Sequence, residues 1–195
     1  MPLTTIDPRT ALVLVDLQNG FRQRPTGPHT AGEVIARSVA LAEAFRAQGL
    51  PVVLTRFVMA ADGADAPGRT DMSGQSFTPP EAMLALTDEL AGHAGDVVVT
   101  KRSWGSFYGT DLDLQLRRRS VTQVVLAGVM TSLGVESTAR AAHEHGYNVT
   151  LATNAMTDMS ADAHEHSTRR IFPLLGETGT TDEVRELLAE VHGKA

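Results

Sequence analysis

The chain has 195 residues, 42% of them apolar and 21% charged, enough for one domain with one real core and little room for a second. Seventeen Lys and Arg against 23 Asp and Glu give a net charge of -6, which argues against nucleic acid or an anionic membrane as the main partner. Cysteine is absent, which excludes disulfides, thiolate metal sites, iron–sulfur clusters and a thiol nucleophile.

Five β-rich segments recur: 10–16 (TALVLVD), 51–57 (PVVLTRF), 96–101 (DVVVTK), 122–129 (TQVVLAGV) and 147–153 (YNVTLAT). Most are continuously apolar, as expected of strands covered on both faces in a parallel sheet. Helical patterns lie between them. Over 30–48 apolar residues at Val34, Leu41 and Phe45, and at Ile35, Val39 and Ala42, trace one face, and Gly49 stands where a helix commonly ends. The one long irregular stretch, 58–78, reads as a lid, a partner contact or disorder. Further helices are predicted over 81–91, from Thr110 through Arg117–Arg119, and over 133–145, 163–175 and 181–192. Strand and helix alternate along the whole chain, which predicts a single α/β domain over 1–195 with an open three-layer sheet. The length argues against closure into an eight-unit barrel, which usually needs about 250 residues. No run is long and apolar enough to cross a membrane and no signal peptide is evident, so a cytoplasmic location is expected.

Ligands of open parallel sheets bind at the carboxyl ends of the strands. Three strand ends here carry chemistry. Asp16 closes one apolar run and Lys101 another, and each is costly to bury without a partner, so the two are expected to meet at one sheet edge. Such a pair is either a structural ion pair or part of a site. The fourth run leads through Gly128-Val129-Met130-Thr131-Ser132-Leu133-Gly134 into a helix, a geometry that presents backbone N–H groups to an anion or oxyanion.

These residues resemble a known family. Asp16-Leu17-Gln18-Asn19-Gly20-Phe21, Lys101 with Ser106-Phe107-Tyr108-Gly109-Thr110-Asp111-Leu112, and Gly128-Val129-Met130-Thr131 with Val135, Thr138-Ala139 and Gly146-Tyr147 are similar to the motifs of the isochorismatase-like hydrolases, in order and spacing over residues 10–188. The resemblance implies a three-layer α/β/α sandwich on a mostly parallel six-stranded sheet, with a short sixth strand near 176–180. It also implies a non-proline cis peptide at Val129–Met130 that turns backbone N–H groups, with that of Gly134, toward substrate oxygen.

Most members of that family cleave C–N bonds with an Asp–Lys–Cys triad, in which the Cys attacks. Asp16 and Lys101 match the first two positions, and Gly134 stands at the third. The isochorismatases proper likewise carry glycine there and cleave a vinyl ether by protonation. On that reading Asp16 is the general acid, Lys101 holds the substrate carboxylate or orients Asp16, and Gly134 leaves room for substrate and water. Gln18, Phe21, Arg56, Trp104, Tyr108, Met130, Thr131 and Leu133 are the substrate-binding candidates. Trp104 is expected to pack beneath the site loop or to line the pocket.

No metal and no cofactor are expected, because no His stands near the second-strand loop. His143-Glu144-His145 and His164-Glu165-His166 read as solvated helix surface, since helix positions two apart point away from each other. The resemblance implies a small-molecule substrate and a homodimer or homotetramer. Two other readings stay open. One is a C–N hydrolase using water or the hydroxyl of Ser132 or Thr131, residues that otherwise cap the helix. The other is a binding or interaction protein that has lost its nucleophile.

Overall fold

The structure is a computed structural model and describes residues 3–60, 62, 64, 68, 69, 71 and 79–193. The apolar runs form six strands: β1 (Thr10–Val15), β2 (Val52–Phe57), β3 (Val97–Lys101), β4 (Gln123–Val129), β5 (Asn148–Thr157) and β6 (Glu177–Gly179). They make one sheet in the order β3-β2-β1-β4-β5-β6, parallel at every pairing. The helices are α1 (Ala31–Ala47), α2 (Glu81–Leu84), α3 (Leu112–Arg118), α4 (Glu136–Glu144), α5 (Ala161–His166), α6 (Phe172–Leu175) and α7 (Thr181–His192). The expected α/β class and six-stranded sheet are therefore present, with β6 where the resemblance placed it.

Side-chain alternation along the strands sorts the core into two halves. Leu12 and Leu14 of β1, with Leu54 and Val125, pack against Val34, Leu41 and Phe45 of α1 and Val184 and Leu188 of α7. Ala11, Val13 and Val15, with Val53, Leu126 and Leu151, pack on the other face against α3, α4 and α6 through Leu112, Leu116, Ala139 and Phe172. All six residues of β1 and all seven of β4 are buried, which is why those runs show no polar alternation. Helix α1 starts at a capping box, Thr30 with Glu33, and α7 at another, Thr180 with Glu183.

The structure corrects four boundaries. The helix expected over 81–91 stops at Leu84, because the next residues bond to the chain after β1 instead. Asn19 N–H donates to the Ala85 carbonyl at 2.9 Å, and Thr87 N–H to the Leu17 carbonyl at 3.0 Å. Strand β5 runs on to Thr157, and the helix after β4 opens earlier, in a π-helical turn over Thr131–Val135. The helix expected over 163–175 begins at Ala161 and breaks into α5, a π-helical turn (Ser167–Ile171) and α6. Pro173 lies at the start of α6, has no N–H to donate and crowds the preceding turn, which favours that widening. Most of 58–78 lies outside the described residues.

Candidate active site

The site forms where the chain leaves β1 for β2 on one side, while β4 lies on the other. That is the switch point at which open sheets hold ligands. Val15 pairs with Thr55 on one side and Gly128 on the other, so β1, β2 and β4 end together. Gly128 has φ +113, and a Cβ there would lie 2.2 Å from the Val15 carbonyl oxygen, so only glycine allows this approach. Asp16, the residue after β1, has φ 53, a conformation that Asp tolerates better than most residues.

Asp16 Oδ2 lies 2.6 Å from Lys101 Nζ, the end of β3. Lys101 is 1% exposed, and Nζ also donates to the carbonyls of Trp104 at 2.6 Å and Ser103 at 3.1 Å. These three oxygens match the three ammonium protons. Lys101 is thereby committed to Asp16 and its own loop, and of its two expected roles the geometry favours orienting Asp16. The Asp16 carboxyl is pushed up from 3.8 to about 6. Burial is the largest cause; the Lys101 charge and hydrogen bond, with weaker help from Thr55 and Phe57, pull the other way and lose. Asp16 Oδ1 is buried and makes no hydrogen bond.

Gly134 faces this pair from the π-helical turn. A Cβ at Gly134 would lie 3.4 Å from Asp16 Oδ2, 3.1 Å from Val15 Cγ1 and 3.0 Å from the Val129 carbonyl oxygen. The Val129–Met130 peptide is cis. The turn closes on itself through Leu133 and Val135 N–H, which donate to the Met130 carbonyl at 3.2 and 3.1 Å. Buried hydroxyls support it from behind. Thr138 Oγ1 donates to the Gly134 carbonyl at 2.6 Å and lies 3.0 Å from Ser106 Oγ, and Ser106 Oγ donates to Thr55 Oγ1 at 3.3 Å.

Asp16, Lys101 and Gly134 thus come together. The substrate-binding candidates divide. The Gln18 amide is spent on backbone: Nε2 donates to the carbonyls of Phe57 at 2.9 Å and Leu84 at 2.6 Å, and Oε1 accepts from Phe57 N–H at 2.9 Å. Phe21 is buried in a short 3-10 turn (Asn19–Phe21). Arg56 Nε donates to Thr100 Oγ1 on β3 at 3.0 Å. Met130 is partly buried against the α1 core, and Leu133 is half-buried. Trp104, expected beneath the loop or in the pocket, is not packed beneath it but 63% exposed, and Tyr108, a pocket candidate, is 84% exposed, while their backbone carbonyls serve Lys101 and Ser103.

Thr131 and Ser132 do not cap the helix through their side chains. Thr131 Oγ1 shares a 2.8 Å hydrogen bond with His164 Nδ1, and Ser132 Oγ donates to Asp158 Oδ2 at 2.8 Å. His164 is therefore not solvated surface but 7% exposed; burial, then His29 at a ring distance of 6.0 Å, lowers its pKa. His143 pairs with the Leu175 carbonyl at 3.1 Å, and His145 stacks on Phe107 at 5.0 Å. Asn154 Oδ1 accepts from Thr181 N–H at 2.8 Å and Nδ2 donates to Thr181 Oγ1 at 3.2 Å, joining β5 to the start of α7. Among the described residues no cluster of three or more His, Asp or Glu side chains could hold a metal ion. No helix among them is long and apolar enough to cross a membrane.

Residues 10–183 match the isochorismatase domain family. The uncharacterized isochorismatase family protein YecD of Escherichia coli O157:H7 is 42% identical over 186 residues, covering 92% of this chain and 96% of that one. The ureidoacrylate amidohydrolase RutB of Stutzerimonas stutzeri is 30% identical over 176 residues, covering 77% and 71%. Among solved structures, an isochorismatase family protein from Burkholderia thailandensis superposes with a TM-score of 0.87 at 44% identity, covering 94% of this chain and 97% of that one.

Proposed function

The chain belongs to the isochorismatase family of hydrolases, and we propose that it cleaves a small carboxylated vinyl ether, of the isochorismate type, without metal or thiol. The observation that carries this reading is Asp16. Burial pushes its carboxyl up to about 6, Oδ1 is buried without a hydrogen-bond partner, and Oδ2, paired with Lys101, faces the backbone of Gly134. A carboxyl raised toward neutrality keeps part of its population protonated there and can serve as a general acid.

In this mechanism the protonated Asp16 carboxyl gives its proton to the terminal CH2 carbon of the enol ether. The double-bond electrons form that C–H bond, leaving an oxocarbenium ion stabilised by the ether oxygen. Water adds to the cationic carbon and loses a proton to the Asp16 carboxylate, which restores the acid. The resulting hemiketal breaks its C–O bond, giving a keto acid and an alcohol. Lys101 holds Asp16 in place and keeps a positive charge beside the carboxylate when it forms. Arg56, anchored to Thr100, is the candidate partner for the substrate carboxylate.

A second reading is C–N hydrolysis, favoured by the likeness to ureidoacrylate amidohydrolase RutB. With glycine at position 134, the ionised Asp16 would then activate water. The hydroxyls of Ser132 and Thr131 are hydrogen-bonded to Asp158 and His164, each at 2.8 Å. Incubation with isochorismate and a coupled pyruvate assay tests the first reading. Pyruvate release that Asp16→Ala abolishes is expected; no pyruvate above that control rejects the substrate, and turnover of ureidoacrylate instead supports the second reading.

A further inference from the structure

Asp158, at the end of β5, is a buried carboxylate that the proton-transfer steps leave unused. It is 3% exposed, and none of the ion pairs among the described residues includes it. Burying such a charge is costly unless hydrogen bonds replace its water. Three donors do so. Ser132 N–H and Oγ donate to Oδ2 at 2.7 and 2.8 Å, and Met159 N–H donates to Oδ1 at 2.8 Å. Two of the three come from the turn that carries Gly134. One residue earlier, the same turn is held by the buried contact of Thr131 with His164.

The far side of that turn abuts the acid, since a Cβ on Gly134 would lie 3.4 Å from Asp16 Oδ2. The placement of residues 130–134 therefore sets the space beside Asp16. We propose that Asp158 is a positioning residue: acting through Ser132, it fixes the 130–134 turn against Asp16. Its link to rate rests on the reading of Asp16 as the proton donor. The link to the turn does not.

The residue type fits the task. A carboxylate accepts from all three donors, whereas the amide of Asn would turn N–H groups toward one set of them. The backbone of Asp158 has a separate job, pairing with Gly27 through bonds of 2.9 and 3.1 Å, so side-chain variants leave that link in place. Displacement of a reacting group by about 1 Å costs about a hundredfold in rate, so a modest shift of the turn is felt in turnover.

The test uses the full chain as wild type, Asp158→Asn, Ser132→Ala and the double variant. Amide hydrogen exchange by NMR needs no substrate. Exchange of residues 131–135 is expected to rise by about tenfold or more in Asp158→Asn, and less in Ser132→Ala, with β1 and β4 nearly unchanged. With isochorismate, kcat is expected to fall by about ten- to a hundredfold at nearly constant KM, and the double variant to match Asp158→Asn. Unchanged turn exchange in both variants would overturn the proposal. So would faster exchange spread evenly over β4 and β5, or a loosened turn with kcat intact. A wild type inert toward isochorismate would sink the proposed substrate, while the exchange result would still decide whether Asp158 holds the turn. If Asp158→Asn does not fold, Ser132→Ala alone carries the exchange test.

Discussion

Asp16 is pulled in opposite directions, and burial wins over the adjacent ammonium. With a carboxyl at about 6, roughly a tenth of the molecules hold the proton at pH 7. If that proton drives the reaction, kcat/KM is flat below about pH 6 and falls tenfold per pH unit above it. A base role predicts the opposite limb, rising through pH 6, so a pH–rate profile separates ether cleavage from water activation on an amide. Because Lys101 favours the ionised carboxyl, Lys101→Met is expected to move the falling limb to higher pH. Gly134→Ala brings a Cβ within 3.0 Å of the Val129 carbonyl oxygen and 3.1 Å of Val15 Cγ1. Neither neighbour is free to move, so chemical denaturation is expected to show a loss of about 1–3 kcal/mol. Asp16 and Lys101 were legible because each closes an apolar run. Asp158 closes one as well, yet the polar pair Thr153-Asn154 interrupts that run and makes β5 look finished too early. His164 was missed because helix spacing alone cannot tell that one of two nearby histidines faces a neighbouring turn.

The elements that build the site are those with the plainest sequence patterns. Strands β1 and β4 are buried on both faces, and their runs are apolar throughout. Their junction depends on Gly128, where any side chain would meet the Val15 backbone. Gly128→Ala is expected to cost about 3 kcal/mol or more, or to prevent soluble expression, as thermal unfolding and solubility would show. Elements whose partners are distant in sequence were harder to read. Helix α2 stops at Leu84 because residues 85–87 bond to 17–19, a contact that local periodicity does not encode. Strand β6 is three residues long, too short for any pattern, and it was expected only by resemblance. The break before α6 was in principle visible at Pro173, since a proline inside a helical pattern signals interruption.

At the scale of the whole molecule, the sheet brings three strand ends to one edge, and the loop after β3 both clamps Lys101 and displays Trp104 and Tyr108. Both rings lie exposed on that one loop. We propose that they pack against a second copy, in the homodimer or homotetramer that the family resemblance implied. Analytical ultracentrifugation is expected to show that assembly for the wild type and a shift toward monomer for Trp104→Ala/Tyr108→Ser; a monomeric wild type would refute it. The net charge of -6 leaves local geometry, rather than a broad field, to attract an anionic substrate. The central claim is that Asp16 donates a proton in hydrolysis at a site without a nucleophilic side chain. Its most direct test is pyruvate release from isochorismate by wild type and Asp16→Ala at pH 6. The account predicts steady release by the wild type and none above background for the variant; equal rates for the two, or no release by either, would contradict it.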